Sequence, residues 1–304
     1  MAERERTSLR PEREPNGAGA ASEGRPLPVP VDHDLRRYLS GVEPDRQLDD
    51  WGRSERVEGV MDRLIYDFVY RYWFRVEVEG LENVPASGGA MLVSNHSGAL
   101  PPDAPMIAKA IKEEHPHPRP VNITIEHFFH GYPGFSMLVK KIGCVAAHPA
   151  NVHRLLYDEG QLVLVFPEGR KGTEKLYKDR YKLRRFGRGG FVEAAMQARA
   201  PIVPVCVVGA EEAAPIFAHL RPLQKLTGLI YAPLTPTFPH FGLLGMLGYL
   251  PAKFRIRFLE PIQFDEADLD EDKNLVQTVA HDIRGRIQEN LFDMVERRGS
   301  VWFG

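Results

Sequence analysis

The chain has 304 residues, of which 43% are hydrophobic and 26% charged, and its formal net charge is −2 at pH 7. This is the composition of a globular protein with enough apolar residues for a sizeable core. The small net charge excludes a general electrostatic attraction to nucleic acid. Cys144 and Cys206 fall in apolar runs without metal-ligand spacing, so we expect buried, inert thiols in a reducing cytosol and no bound metal.

The first part of the chain, residues 1–50, is predicted to be a disordered arm. It is rich in Arg, Glu, Pro, Gly and Ala, and Tyr38 is its one aromatic residue. No apolar stretch follows its charged start, so we do not expect a secretory signal. The longest apolar window, 241–250, has half of the roughly 20 residues that a membrane-spanning helix needs. A soluble or peripheral membrane protein is therefore expected.

A single folded domain is predicted over 51–304, and it begins with an amphipathic helix at about 55–74. Apolar residues recur there at spacings of three and four, from Val57 to Trp73. This helix either packs into the core or lies at a membrane interface, where aromatic rings settle readily. Its aromatic residues are Tyr66, Phe68, Tyr70, Tyr72, Trp73 and Phe74.

Seven short apolar runs after this helix predict strands. They are RVEVEG, GAMLVSN, VNITIEH, CVAA, LVLVFPEG, IVPVCVVG and FRIRFLEP. Unbroken Val, Leu and Ile predict strands that are covered on both faces, and helical patterns lie between several of the runs. We therefore predict an α/β fold with a central mixed, mostly parallel sheet of about seven strands flanked by helices. A catalytic core at about 75–262 precedes a C-terminal helix at about 272–297.

Two of the predicted strands end in chemically reactive residues. His96 follows the run GAMLVSN, and Glu168-Gly169-Arg170 follows LVLVF. Because reactive groups gather at the carboxyl ends of strands in such sheets, the two ends predict one site. His96 is either a general base, oriented by Asp103, or a structural histidine. Asp103 also fits a simple helix start after Pro101, so the spacing alone leaves their pairing open.

Basic residues are concentrated in the segment 170–188. It contains nine Lys or Arg and two acidic residues, Glu174 and Asp179. The segment is either a solvated face or a surface for phosphates, which Arg side chains bind well. Nucleic-acid binding is not expected, because Tyr177, Tyr181 and Phe186 are its few residues able to stack on bases.

The motifs NHSGALPPD, FPEGRKGT and IVPVCVVG, in this order, resemble the blocks of the glycerol-phosphate and lysophosphatidate acyltransferase superfamily. The resemblance covers about 75–262. It implies an α/β fold and transfer of a fatty acyl group from a thioester to a hydroxyl of a lipid-like acceptor, with no cofactor beyond acyl-CoA as co-substrate.

The resemblance also assigns site residues. The catalytic positions are His96 and Asp103. The acceptor-binding block is Glu168, Gly169, Arg170 and Thr173. Pro204 lies in the block near the acyl donor, and the basic residues Lys171, Arg184, Arg185 and Arg188 are candidates for binding the donor or its phosphates.

The sequence departs from the superfamily pattern in two places. Six residues separate His96 from Asp103 where the pattern has four. The second block usually ends in an Arg that holds an acceptor phosphate, but the stretch 143–154 has His148 and Asn151 near that place. The acceptor is therefore either a lysophospholipid such as 1-acylglycerol-3-phosphate, which the resemblance favours, or a neutral glycerolipid or other lipid alcohol.

A neutral imidazole suits removal of the proton from an attacking alcohol, and an ionised Asp103 would fix its tautomer. No Gly-x-Ser-x-Gly motif is present, which argues against a serine hydrolase and a covalent intermediate. We predict an acyltransferase of phospholipid biosynthesis that uses acyl-CoA or acyl-carrier protein, in the cytoplasm and peripheral on the inner face of the membrane. The alternative to an enzyme is a non-catalytic, lipid-binding relative of these acyltransferases.

Overall fold

The computed structural model describes residues 48–98, 100–126, 133–228, 232–264 and 273–303. The predicted arm lies outside these residues except for its last three. Strands in the described part of the chain are β1 Glu77–Glu79, β2 Ala90–Ser94, β3 Val121–Ile125, β4 Cys144–Ala146, β5 Leu162–Val165, β6 Ile202–Val208, β7 Ala218–His219, β8 Pro233–Leu234 and β9 Arg255–Phe258.

The α-helices of the described residues vary from one turn to seven. They are α1 Glu55–Met61, α2 Asp103–Glu114, α3 Pro133–Lys141, α4 Pro149–His153, α5 Arg170–Thr173, α6 Gly190–Gln197, α7 Ala210–Ala213, α8 Arg221–Thr227 and α9 Lys273–Arg297. None of the described helices is long and apolar enough to span a membrane.

Seven strands form one sheet in the order β1-β9-β6-β2-β5-β3-β4. Every neighbouring pair is parallel except β6 and β9, which are antiparallel. These are the seven strands predicted from the apolar runs, so the predicted fold class is confirmed. The central strands β2 and β6 are buried at every residue, because helices and loops cover both faces of the sheet.

The core consists of one hydrophobic cluster on each face of the sheet. Successive residues of β2 point to opposite faces, so Leu92 belongs to one cluster and Met91 to the other. The first cluster includes Ile107 of α2, and the second includes Ile283 and Ile287 of α9. Helices α2 and α9 therefore cover opposite faces of the sheet.

The segment predicted as an amphipathic helix, 55–74, is helical. Ser54 caps α1 by accepting a hydrogen bond from the backbone N–H of Val57, and two π-helical turns, Asp62–Tyr66 and Val69–Trp73, continue the helix. One side packs into the core through residues such as Phe74, which is fully buried. The other side exposes large apolar side chains, among them Leu64, Phe68 and Tyr72. Core packing therefore accounts for the buried side, and a membrane-interface role of the exposed side stays a prediction.

Lys109 joins this helical segment to α2. Its buried ammonium group donates to Asp62 at 2.7 Å, to Glu113 at 2.7 Å and to Asp67. Burial alone would lower the pKa of the amine, but hydrogen bonds to the three carboxylates outweigh burial and raise that pKa above its usual value. The charged side chain therefore fixes α2, which begins at Asp103, against the segment that precedes the sheet.

Candidate active site

Three neighbouring parallel strands end at the same edge of the sheet with polar residues. His96 follows β2, Glu168 follows β5, and Glu126 follows β3. The sequence pattern predicted that the first two strand ends would form one site. Glu126 is a third contribution that the sequence analysis did not identify.

The backbone that carries His96 is fixed by the preceding residue, Asn95. Its buried side chain accepts a hydrogen bond from the N–H of Val207 at 2.8 Å and donates to the carbonyl of Val207 at 3.0 Å. The chain after β2 is thus held on β6. The signal for Asn95 was present in the sequence as a polar residue immediately after a buried strand.

His96 and Asp103 are paired. Nδ1 of His96 lies 3.1 Å from Oδ2 of Asp103, which also accepts a hydrogen bond from the N–H of Ser97 at 3.0 Å. Asp103 is fully buried as the first residue of α2, and its Oδ1 accepts from the N–H of Ala104 at 2.7 Å. The six-residue interval fits because Gly98 turns the chain with a φ of +85°, a conformation that glycine adopts easily.

This pairing determines the tautomer of His96. A carboxylate beside Nδ1 accepts a hydrogen bond from the protonated Nδ1, so Nε2 keeps its lone pair. The ring also stacks on Phe166 with centroids 3.9 Å apart and planes 22° apart, and its side chain is 14% exposed. In the described part of the chain Nε2 has no hydrogen-bond partner. A basic nitrogen is therefore available to a substrate.

The buried carboxylate of Glu168 binds the backbone of His96. Its Oε1 accepts a hydrogen bond from the N–H of His96 at 3.2 Å, and its Oε2 accepts from the N–H of Arg184 at 2.6 Å. Its buried side chain also lies 3.5 Å from Nζ of Lys175. Glu168 does not line the cleft that opens at His96, whereas Gly169, Arg170 and Thr173 do.

A cleft of about 1850 Å³ opens at His96. It exceeds the roughly 300–1,000 Å³ of ordinary small-molecule pockets. Glu126, Arg170 and Thr173 lie on its wall with His96. The remaining wall is largely apolar and includes Met61, Ile65, Val69, Ile123, Ile125, Phe135, Leu138, Val139, Leu243, Leu244 and Leu247. The cleft thus combines one basic nitrogen with space for long apolar groups.

Comparison with known proteins identifies the family. A family model described as Acyltransferase matches residues 75–208. An uncharacterized protein of Mycobacterium tuberculosis is 40% identical over 272 residues, which are 89% of this chain and 75% of that protein. The chain belongs to the acyltransferase family. The resemblance stated from the three sequence blocks is confirmed at this level, and the family implies an acyl donor and a lipid acceptor.

Two further proteins are similar to this acyltransferase. The Gallus gallus protein named "DGAT1/2-independent enzyme synthesizing storage lipids" is 28% identical over 237 residues, 77% of this chain and 64% of that protein. The crystal structure of the 1-acyl-sn-glycerophosphate acyltransferase PlsC from Thermotoga maritima matches with a TM-score of 0.48 and 18% identity, over 84% of this chain and 88% of that chain.

The predicted acceptor block of the acyltransferase is split between the cleft and the interior. Gly169 and Arg170 border the cleft, and the guanidinium Nε of Arg170 lies 3.2 Å from Glu174. The hydroxyl of Thr173 donates to the carbonyl of Arg170 at 3.1 Å, which closes the single turn of α5. Glu168 alone of the four is turned into the interior.

The predicted donor-binding residues of the acyltransferase lie away from the cleft wall. Pro204 is buried in β6, in register with Val93 of β2. Lys171, Arg184, Arg185 and Arg188 are exposed, and Arg184 pairs with Asp179 at 3.3 Å. The structure therefore does not bring Pro204 together with the exposed basic residues.

The basic segment is not wholly a surface feature. Eight of its nine basic residues are exposed, but Lys175 is buried and donates to Glu211 of α7 at 3.0 Å. Burial raises the pKa of Glu211 to about 7, although Lys175 and the N–H of Tyr181 work in the opposite direction. The segment 175–181 is thus attached to the core by a buried charged cluster that begins at Glu168.

Proposed function

We propose that this acyltransferase moves a fatty acyl group from an acyl thioester to a hydroxyl of a lipid acceptor, with His96 as general base. The observation that carries the proposal is the pairing of Nδ1 of His96 with buried Asp103 at 3.1 Å, which leaves Nε2 available beside an apolar cleft. That arrangement suits a reaction in which a neutral imidazole accepts a proton from an alcohol.

In the proposed reaction Nε2 takes the proton of the acceptor hydroxyl while the oxygen attacks the thioester carbonyl carbon. Collapse of the tetrahedral intermediate breaks the carbon–sulfur bond, and the imidazolium returns its proton to the thiolate that leaves. Asp103 stabilises the imidazolium through Nδ1 in both steps. The substrate alcohol is the nucleophile, so no covalent acyl-enzyme forms.

The donor in this proposal is acyl-CoA or acyl-carrier protein, and no other cofactor is needed. Both carry a thioester together with phosphate groups. The exposed basic side chains of Lys171, Arg184, Arg185 and Arg188 support such a donor, because Arg and Lys pair favourably with phosphate oxygens. These residues would contact the polar part of the donor outside the cleft.

Two acceptor classes are candidates. The superfamily resemblance favours a lysophospholipid such as 1-acylglycerol-3-phosphate, and hence a role in phospholipid biosynthesis. A neutral glycerolipid or other lipid alcohol is favoured by the similarity to a protein named as an enzyme synthesizing storage lipids. Both acceptors present a hydroxyl to His96, so the base chemistry is the same for either.

We further propose peripheral contact with the inner face of the membrane. Leu64, Phe68 and Tyr72 are exposed on the segment after α1, and Phe241 and Leu244 are exposed after β8. Large apolar side chains in such numbers are typical of a lipid-contacting surface. Leu244 also lines the cleft, as does Ile65, so lipid substrates would enter between these two exposed regions.

The proposed function is tested by measuring release of free thiol from long-chain acyl-CoA by the purified protein, with neutral vesicles that contain either acceptor class. We expect one thiol released for each acylated lipid formed, and little release without an acceptor. Release of thiol that is independent of acceptor would indicate hydrolysis instead. No release with any acceptor would favour the non-catalytic lipid-binding alternative.

A further inference from the structure

Glu126 places a carboxylate on the wall of the cleft that His96 also lines. Its Oε1 accepts a hydrogen bond from the backbone N–H of Arg170 at 2.9 Å, and its side chain lines the cleft together with His96. Gly169 makes room for it, because a Cβ at that position would lie 2.7 Å from Oε1 of Glu126. The packing of the loop after β5 therefore accommodates this carboxylate.

Glu126 has no Lys or Arg partner among the described residues, whereas the cationic side chains on the cleft wall are already paired. Arg170 lies 3.2 Å from Glu174, and Arg53 lies 2.7 Å from Glu58. Lys109 is held by three carboxylates and Lys112 lies 2.8 Å from Asp62.

Arg119, the remaining described cation of the cleft wall, donates to the carbonyls of Pro85, Gly88 and Gly160. Glu126 thus offers an incoming group in the cleft a carboxylate that no described cation neutralises.

Two energetic costs would oppose the binding of a phosphate near Glu126. It would lose part of its hydration against the largely apolar walls, and it would be repelled by the exposed carboxylate of Glu126. The N–H of Arg170 would not compensate, because it is already bonded to Glu126. An uncharged acceptor hydroxyl avoids both costs. It is able to donate a hydrogen bond to Oε2 of Glu126, which has no partner in the described residues.

We infer that the acceptor is an uncharged lipid alcohol, such as a monoacyl- or diacylglycerol, and that Glu126 determines this specificity by excluding phosphate. The inference rests on the proposed function and names its acceptor class. It differs from the phosphorylated acceptor that the sequence pattern favoured.

The test compares kcat/KM for monoacylglycerol and for lysophosphatidate of the same acyl chain, with one acyl-CoA and uncharged detergent micelles. We expect the natural protein to prefer monoacylglycerol by about tenfold or more, the scale of one partly screened repulsive charge pair. Glu126→Gln should raise kcat/KM for lysophosphatidate by about tenfold relative to monoacylglycerol. Glu193→Gln, which removes an exposed carboxylate of α6 outside the cleft, should leave the ratio unchanged.

Any one of the following results would overturn the inference. A natural protein that prefers lysophosphatidate would do so, as would a Glu126→Gln variant that loses activity equally on both acceptors while its thermal unfolding midpoint is unchanged. If Glu126→Gln is poorly folded, Glu126→Ala replaces it, and the measured quantity is the inhibition constant of lysophosphatidate in the monoacylglycerol reaction. An inhibition constant equal to that of the natural protein would count against the inference. Absence of product from every acceptor would instead overturn the proposed function, and this inference with it.

Discussion

Gly172 determines how closely α5 approaches the proposed base. A Cβ at this position would lie 2.9 Å from Cβ of Glu168 and 3.0 Å from both Cβ and the carbonyl oxygen of His96. Contacts this short are not tolerated, so a side chain here must displace α5, His96 or Glu168. The residue type at this position is therefore linked to the placement of the imidazole, although glycine itself takes no part in the chemistry.

We expect Gly172→Ala to lower kcat by at least about tenfold, because small misplacements of a reacting group are costly. KM for the acyl donor should change less, since the exposed basic residues do not depend on this contact. Gly190→Ala is the matched control, because no atom of the described residues outside its own helical turn lies within 4 Å of a Cβ at that position. Steady-state kinetics of the two variants provide the measurement, and equal activity in both would show that α5 adapts without moving His96.

At the scale of the elements, a buried charged cluster connects α7 to the segment that follows α5. Glu211 accepts from Lys175 at 3.0 Å and from the N–H of Tyr181 at 2.8 Å. The neighbouring Glu212 bonds the hydroxyl of Tyr181 and accepts from Arg298 at 2.6 Å. Buried charged groups thus hold α7, the segment 175–181 and Arg298, directly after α9, together.

This cluster predicts a particular dependence of stability on pH. Burial raises the pKa of Glu211 to about 7, whereas the same carboxyl ionises near pH 4.5 when the chain is unfolded. Between these values the folded protein holds the extra proton. The contribution of Glu211 to the free energy of unfolding therefore falls as pH rises, by up to about 1.4 kcal/mol per pH unit.

Glu211→Gln should remove this contribution, since an amide does not ionise and its oxygen still accepts from Tyr181. We expect the stability of the variant relative to the natural protein to increase from pH 5 to pH 8 in urea unfolding. Glu193→Gln, at an exposed position, should show no such trend. Parallel stability profiles for Glu211→Gln and the natural protein would mean that Glu211 is ionised across this range.

For the whole molecule, the strands of the main sheet could be predicted from the sequence because burial on both faces leaves unbroken apolar runs. The tendency of reactive groups to gather at the carboxyl ends of strands also indicated His96 and the loop after β5. It applies equally to Glu126, but a glutamate after a strand is common, and its partner, the N–H of Arg170, is 44 residues away. Non-local pairing of this kind is not visible in a local pattern.

The basic segment illustrates the same limit. Charge counting treats its lysines alike, yet Lys175 is buried between Glu168, in the loop after β5, and Glu211 of α7. The pairing of His96 with Asp103 stayed open in the sequence because Asp103 also fits a simple helix start after Pro101. The turn at Gly98 and the start of α2 at Asp103 bring the two side chains together.

The central claim is that His96, oriented by Asp103, is the general base of acyl transfer. Its most direct test is kcat for acyl transfer by His96→Ala, measured beside Asp103→Asn and with thermal unfolding of both variants. We predict that kcat of His96→Ala falls by about a hundredfold or more, the range for loss of a positioned base, while the protein stays folded. Asp103→Asn should also be impaired. Turnover by a folded His96→Ala variant close to that of the natural protein would contradict the account.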